Sequence, residues 1–583
     1  MRLFGKIVLL LLAATCELNA HAQFTINDMP VVYDVTTSTF ICSVYKSIYG
    51  TNLDAIVEMD ITYDKIFIDG TVICDGDSAT AANHEMTFAG IEGGKMYPML
   101  LIAGTDTTEA ALTFTCLPIV ILEGDFSKEY SPAAFTLIHP SSTIFDIEAM
   151  TAKAKWRGST TNTADRHKRN YHIRFLDEAG NKQDRRLFDD LRKDDSWILD
   201  AGQVDMSRIR NAAGMSLWNS FVRPPYYGDT EPDALAGTRS HMVEVMLGNE
   251  YRGVYTLSEA IDRKQLKLKK YEEDTKVIHG LLWKTLGWSK MTYMSEITSD
   301  YNPRRDKWDY YELKYPDLDD VKPTDWTPMY DGINFVATSS NADFIAHVDQ
   351  VFDLDRIADF HILYQVILSI DNVGKNLYWA CYDVQQSHQL TLTPWDLDTS
   401  VGQSNPQNPM SAVSPERDFA TSHRLYRRLI ALNPDHYYDL VKRRYHALRS
   451  TLLSEDSVIA HYTRLLDLMI ESGAAAREQR KWSGDSDIEG KTLDIAAERE
   501  YIVDWLKRRL HFLDENTFAY TPFYGDVNDD TAIDVVDMNI IINIILGHLT
   551  LDDYPLADVN GDSEVNSADL NILINLILEI PIQ

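Results

Sequence analysis

Near its C-terminus the chain repeats itself: Asp526-Val527-Asn528-Asp529-Asp530 recurs as Asp558-Val559-Asn560-Gly561-Asp562, and an apolar stretch follows each copy. Such a duplication marks a unit that buries little alone and gains a core by pairing with its twin. Calcium takes about six to eight oxygens, and an EF-hand-type loop supplies them at positions 1, 3, 5, 9 and 12 with a backbone carbonyl at 7. The first loop offers Asp526, Asn528, Asp530, Asp534 and Asp537 with the carbonyl of Ala532. The second offers Asp558, Asn560, Asp562, Asn566 and Asp569 with the carbonyl of Glu564. Position 12 is Asp instead of the longer Glu, and the pattern gives each loop one following helix without a preceding one. Ile540, Ile541, Ile544 and Ile545 form an apolar stripe, with Leu570, Leu573, Ile574 and Ile577 as its counterpart. A segment this small lacks a sufficient core until metal offsets the repulsion among its ligands.

The full chain has 583 residues, too many for one ordinary core, and its 45% apolar and 25% charged content is that of soluble globular protein. Lys plus Arg number 55 against 88 Asp plus Glu, a formal charge of −33, which argues against general nucleic-acid binding. Arg2 and Lys6, the apolar run from Ile7 to Ala14, and Ala20-His21-Ala22 read as a secretory signal over 1–22, with the mature chain starting at Gln23. Thr15 before Cys16 fits a lipidation site poorly. No later run is long and apolar enough to span a bilayer, which takes about twenty residues, so an exported soluble product is expected. Cys42, Cys74, Cys116 and Cys381 remain, and an oxidising compartment leads us to expect one disulfide among the first three, with the partners left open. No coiled-coil heptads are evident, so a monomer is expected.

Alternating and β-rich runs such as Ala55–Ile61, Ile66–Ile68 and Leu112–Thr115, broken by Gly and Asp, predict an all-β, sandwich-like module over 23–140. From 141 to 516 short strands mix with long helical patterns. Ile357, Phe360, Tyr364 and Ile367 share a helix face that ends close to Asp371, and a helical lobe is expected from Leu425 to Leu468 and from Ala496 to Leu513. Phe518–Phe523 reads as a connector to the repeat unit at 522–583.

The centre of the chain carries Asp371-Asn372-Val373-Gly374-Lys375-Asn376, then two β-prone runs around Asp383–His388, then Pro394-Trp395-Asp396-Leu397-Asp398. If the runs pair as a hairpin, Asp371, Asn376 and Asp396 meet at one point. An Asp to orient a hydroxyl, an Asn and a later Asp to hold magnesium on phosphates is the order of parts that phosphoryl transfer uses. The same residues also fit a helix C-terminal turn followed by a strand terminus.

Six segments extend the pattern: Trp156–Thr160, Lys168–Phe175, Glu244-Val245 through Gly253–Glu259, Glu312–Asp317, Asp371–Asn376 and Trp395–Asp398. Their order resembles the spore coat protein H (CotH) kinase family, and Tyr524–Leu578 resembles a type I dockerin. The first resemblance implies an α+β, atypical protein-kinase-like domain that uses ATP and Mg2+. It makes Asp371 the catalytic base, Asn376 a magnesium ligand, and Asp396 or Asp398 the second, with Asp396 slightly favoured. Lys168, or Arg174 after it, would meet the nucleotide phosphates, with strand-surface charge as the plain alternative. Arg157 is divided between phosphate contact and bracing a turn, and Glu259 between an adenine pocket and a structural ion pair. The glycine-rich G-x-G-x-x-G loop and a His-Arg before Asp371 are both missing. The second resemblance implies a Ca2+-dependent tether to a cohesin module. Together they point to a secreted kinase acting on Ser or Thr of extracellular or surface-assembly proteins. The alternatives are a non-catalytic adhesion protein, or a carbohydrate-active enzyme whose two carboxylates flank a sugar-sized cleft.

Overall fold

The computed structural model describes residues 24–59, 63–75, 81–143, 147–158, 162–163, 165–317, 323–403, 413–417, 423–519, 525–530 and 533–578. The signal segment expected at 1–22 and the carbonyl of Ala532 lie outside them.

The β-branched and aromatic runs at the N-terminus form one nine-stranded series. It runs from Thr71–Asp75 through Lys65–Ile68, Met96–Ala103, Asp106–Thr115, Thr39–Ser43, Met29–Asp34, Phe24–Ile26 and Leu53–Met59 to Ala81–Phe88. Ile73 and Phe88, from its two ends, share one core, so the series curls upon itself. The disulfide expected here is not formed: Cys42, Cys74 and Cys116 are all free thiols, as is Cys381. Cys42 and Cys74 sit on strands four steps apart in the series, with no register that brings them opposite one another.

A closed barrel follows, in the order Ile119–Glu123, Ser131–Ile138, Met150–Arg157, Asn170–Phe175, Ser196–Asp200, Glu250–Glu259 and Ser240–Leu247. Its first two strands precede residue 141, so the boundary expected at 140/141 falls inside the barrel, and the change of sheet comes at Leu117. The N-terminal module is seated on the barrel: Val32 and Ile41 share a small core with Ile119, Ile138, Met246 and Tyr251. Tyr251 N donates to Asp34 (3.1 Å).

Beyond the barrel lies a five-stranded sheet, Lys307–Trp308, Tyr311–Tyr315, Leu281–Thr285, Leu377–Cys381 and Thr391–Pro394. The last two strands are the expected hairpin, paired antiparallel from Leu377↔Pro394 to Ala380↔Thr391. Helix Leu354–Ile367 is buried along its whole length except its first two residues, and a left-handed cap at Leu368 (φ 49) turns the chain toward Asp371. The helical lobe comprises Arg424–Leu432, Tyr437–Arg449, Glu455–Glu471, Ala474–Trp482 and Ile495–Phe512. A buried anchor of the lobe is Arg509, which is spread over the carbonyls of Gln365, Pro415 and Arg417.

The repeat unit contributes helices Val535–Ile545 and Ser567–Ile577 over a core of Val527, Ile540, Ile541, Val559 and Leu573. Ile545, expected in that stripe, is 44% exposed, because the helix ends there and its last turn leaves the contact.

Candidate functional site between barrel and sheet

Alternation along the barrel strands puts small and apolar residues inside and charged ones outside. Lys153 faces Arg174, Lys155 faces His172 and Arg157 faces Asn170 across Met150–Arg157 and Asn170–Phe175. The outward side of this hairpin is therefore a basic stripe in an acidic protein. On the next strand Ser196 and Ile198 stand opposite Arg174 and His172, and Asp200 ends the strand. Ile198 packs with Leu282, Tyr378, Ala380 and Trp395, so this barrel face looks onto the five-stranded sheet. From the sheet, Lys284 pairs with Glu312 and Tyr378, and its Nζ lies 5.6 Å from the ring centres of Tyr378 and Trp395. Arg157 covers Trp395 from the barrel side at 5.1 Å.

The carboxylates gather at one end of this gap. Asp398 is pushed well above the usual carboxylate range, first by burial and then by the charges of Asp396, Asp200, Asp205 and Asp371. Asp200 is raised by burial and then by Asp396, against the stabilising bond from Asn211 Nδ2 (2.6 Å). Asp200, Asp371, Asp396 and Asp398 all keep some accessible surface, as ligand groups lining a cleft must. Burial, then the nearby Arg157, brings Lys284 down to about 7, while Asp396 pulls the other way. His172 is held neutral, at about 3, by burial and by Arg157, Arg174, Lys155 and Lys314.

Two side-chain amides, Asn372 buried and Asn211 half-buried, hold the chain in this shape. Asn372 Nδ2 donates to the carbonyls of Asn376 (3.1 Å) and Trp395 (2.7 Å), and Trp395 N donates to Asn376 O (2.9 Å). These bonds tie the Asp371 loop to the Trp395 loop. Asn376 (φ 57) and Asp396 (φ 61) adopt the left-handed backbone that Asn and Asp tolerate better than most residues. Asn211, on helix Arg210–Phe221, accepts from Leu397 N (3.0 Å) while its other end holds Asp200. On the same helix Gly214 lets Leu397 approach, since a Cβ there would sit 3.1 Å from Leu397 Cδ1. Lys375 Nζ binds Asp371 Oδ2 at 2.9 Å.

The expected cofactor contacts divide. Arg157 faces the gap. Arg174 is on the stripe but occupied by Asp195 (3.5 Å) and Tyr130 Oη (3.2 Å). Lys168 is 1% exposed, with Nζ on Glu478 (2.7 Å) and the carbonyl of Val254 (2.7 Å). Glu478 also binds Arg208, so this network closes Lys168 off from the cleft, contrary to its expected phosphate contact. Glu259 spends its carboxylate on Arg239 (2.6 Å) and the backbone N of Arg192 (2.9 Å), the structural ion pair of the two readings. Sequence reasoning passed over Asp200, Asn211, Lys284 and Lys375. A lone lysine inside Leu281-Leu282-Trp283-Lys284-Thr285 was the available signal for one of them.

In the repeat unit, Asp537 Oδ1 accepts from Val527 N and Asn528 N, and Asp569 Oδ1 from Asn560 N (3.1 Å). Both position-12 carboxylates are fully buried, and their other oxygens cap the following helices. Asp526 Oδ1 and Asp558 Oδ1 accept equivalent bonds from Asp530 N and Asp562 N. Asp558 Oδ2 accepts from Ser563 N (2.7 Å), and Asp526 Oδ2 meets Arg443 of helix Tyr437–Arg449 in a buried ion pair.

Residues 154–513 match the CotH kinase protein family, and residues 524–578 match the dockerin type I domain. The first match covers more than half of the chain, which therefore belongs to the CotH kinase protein family. No curated protein matches the chain. Its dockerin domain implies calcium binding and a cohesin partner. Among the described residues no helix is long and apolar enough to cross a membrane.

Asp200, Asp371, Asp396 and Asp398 lie within electrostatic reach of one another and are hard-oxygen groups whose repulsion a divalent cation would relieve, but their ligand atoms are not gathered to within 4.8 Å as those of His167, Asp485 and Asp487 or of Asp184, Asp194 and Asp195 are. Asp398→Asn should therefore raise the metal-free melting temperature while removing stabilisation by Mn2+, read by calorimetry. A lowered metal-free value with Mn2+ stabilisation kept would contradict that. Among the described residues, Arg443 puts a positive charge on the first ligand of loop one and no cation does so in loop two. Calorimetric titration should show loop one binding calcium more weakly than loop two, and Arg443→Gln should strengthen loop one about tenfold, roughly 1.4 kcal/mol. An unchanged or weakened loop one would reject the competition.

Proposed function

We propose that the central domain is an atypical protein kinase that transfers the γ-phosphate of ATP to Ser or Thr of extracellular or surface-assembly proteins. The observation that carries the reading is the family match over residues 154–513, in which Asp371 and Asp396 both make ionising Asp398 costlier beside a basic stripe. That match does not favour a carbohydrate-active enzyme with two carboxylates flanking a sugar-sized cleft. In this reading the barrel serves as one lobe of a kinase-like fold and the five-stranded sheet with its helices as the other, with the site between barrel and sheet. In this reading the dockerin tethers the enzyme to a cohesin scaffold at the cell surface.

Asp371 orients the acceptor hydroxyl and takes its proton, with Lys375 bracing the carboxylate. Asn376, Asp396 and Asp398 would hold magnesium, which when bound supplies charge neutralisation on the phosphates. Asp200 adds a further oxygen, and Asn211 keeps it aligned with the Trp395 loop. Arg157 and Lys284, which face the gap from opposite sides, take the phosphate-facing role in place of Lys168.

Magnesium-dependent transfer of labelled γ-phosphate to a protein acceptor tests the assignment. Asp371→Ala and Asp396→Ala should each abolish transfer without lowering the melting temperature, and labelling equal to wild type would eliminate the site. Lys284 must be protonated to meet a phosphate, so with its titration near 7 nucleotide affinity should fall as pH rises above 7. That slope should vanish in Lys284→Met, and a slope surviving in the variant would assign the proton to another group.

A further inference from the structure

A second cleft lies behind this site, between the C-terminal end of helix Arg210–Phe221 and the first turn of helix Leu354–Ile367. It measures about 280 Å3, near the lower edge of small-molecule sites, and is walled by Val222, Pro224, Pro232, Leu235 and neighbouring alanines. Arg223, Arg239 and Arg356 all reach it, together with Glu231.

Two of these arginines arrive neutralised. Arg223 holds Asp355 and Asp359 (3.0 Å), and Arg239 holds Glu259 (2.6 Å). Glu231 accepts from Tyr382 Oη (2.9 Å). Arg356 differs. It is 1% exposed, its Nε has no hydrogen-bond partner, and its Nη1 reaches only the carbonyl of Leu392 at 3.5 Å. No carboxylate pairs with its guanidinium among the described residues. Asp353, the strongest negative field upon it, spends its oxygens on Tyr226 N, Thr391 Oγ1 and the backbone N of Arg356 itself.

A guanidinium buried without a counter-ion is strongly unfavourable, and its planar fork matches the paired oxygens of a carboxylate or phosphoryl group. We propose that this cleft binds a small organic anion, its oxyanion head on Arg356 and a compact apolar body against Val222, Pro224 and Leu235. It shares no residue with the carboxylate cluster or the basic stripe. Its wall is nonetheless joined through Arg239 to Glu259, at the end of the barrel strand that leads into the sheet.

Butyrate and methylphosphonate, titrated separately into the full-length protein, test this by thermal melting and distinguish a carboxylate site from a phosphoryl one. Either or both should raise the melting temperature saturably by about 2–4 °C in wild type. Lys284→Met should respond like wild type, and Arg356→Met should not respond. No rise with either anion, a rise kept by Arg356→Met, or one lost in Lys284→Met overturns the proposal. Wild-type crystals soaked in 3-bromopropionate give an answer independent of how the variants fold. The anomalous bromine peak is expected in the cleft with the carboxylate on Arg356, and its absence there counts against the site.

Discussion

Negative charge held at close range organises this molecule. Asp200, Asp371, Asp396 and Asp398 come from a barrel strand, a loop after a buried helix, and the exit of a hairpin, and the first three each make ionising Asp398 costlier. Such an arrangement persists only where the surroundings over-determine it. Asn372 and Asn211 do that here: each bonds two separate segments, so that the carboxylate loops keep their positions against their own repulsion.

The same principle recurs in the tail with a different solution. Each dockerin loop turns its ligands inward through backbone N–H bonds to a buried Asp, and the charge there is offset locally. Among the described residues, loop one takes its cation from the CotH domain, through Arg443. The helix carrying Arg443 also receives the connector, since Tyr438 Oη and His446 bond the carbonyls of Thr517 and Phe518. The dockerin and the CotH domain are therefore in electrostatic contact as well as joined by the chain. Calcium in loop one and the Arg443 contact act on the same carboxylate, so each must weaken the other.

What was legible in the residues was what depends on short-range order. The hairpin after Asn376 and the helix ending at Ile367 follow from spacing and periodicity and lie where those patterns put them, and the repeat at the C-terminus matches the dockerin type I domain over 524–578. Roles that depend on which long-range neighbour a charge meets were not legible. Lys168 and Lys284 look alike in sequence, but Glu478, more than 300 residues away, closes off the first, while the aromatic rings around the second leave it facing the gap. Asp200 gains its place only when the barrel closes against the sheet. The expected disulfide failed for the same reason, because strand order in the curled module sets the cysteines apart.

The most direct test of the carboxylate cluster is anomalous diffraction at the manganese edge from crystals grown with Mn2+ and a non-hydrolysable ATP analogue. The account predicts manganese bound by Asn376 and by Asp396 or Asp398, with the triphosphate running past Lys284 and Arg157. A nucleotide bound elsewhere, or manganese missing from these carboxylates, would contradict it.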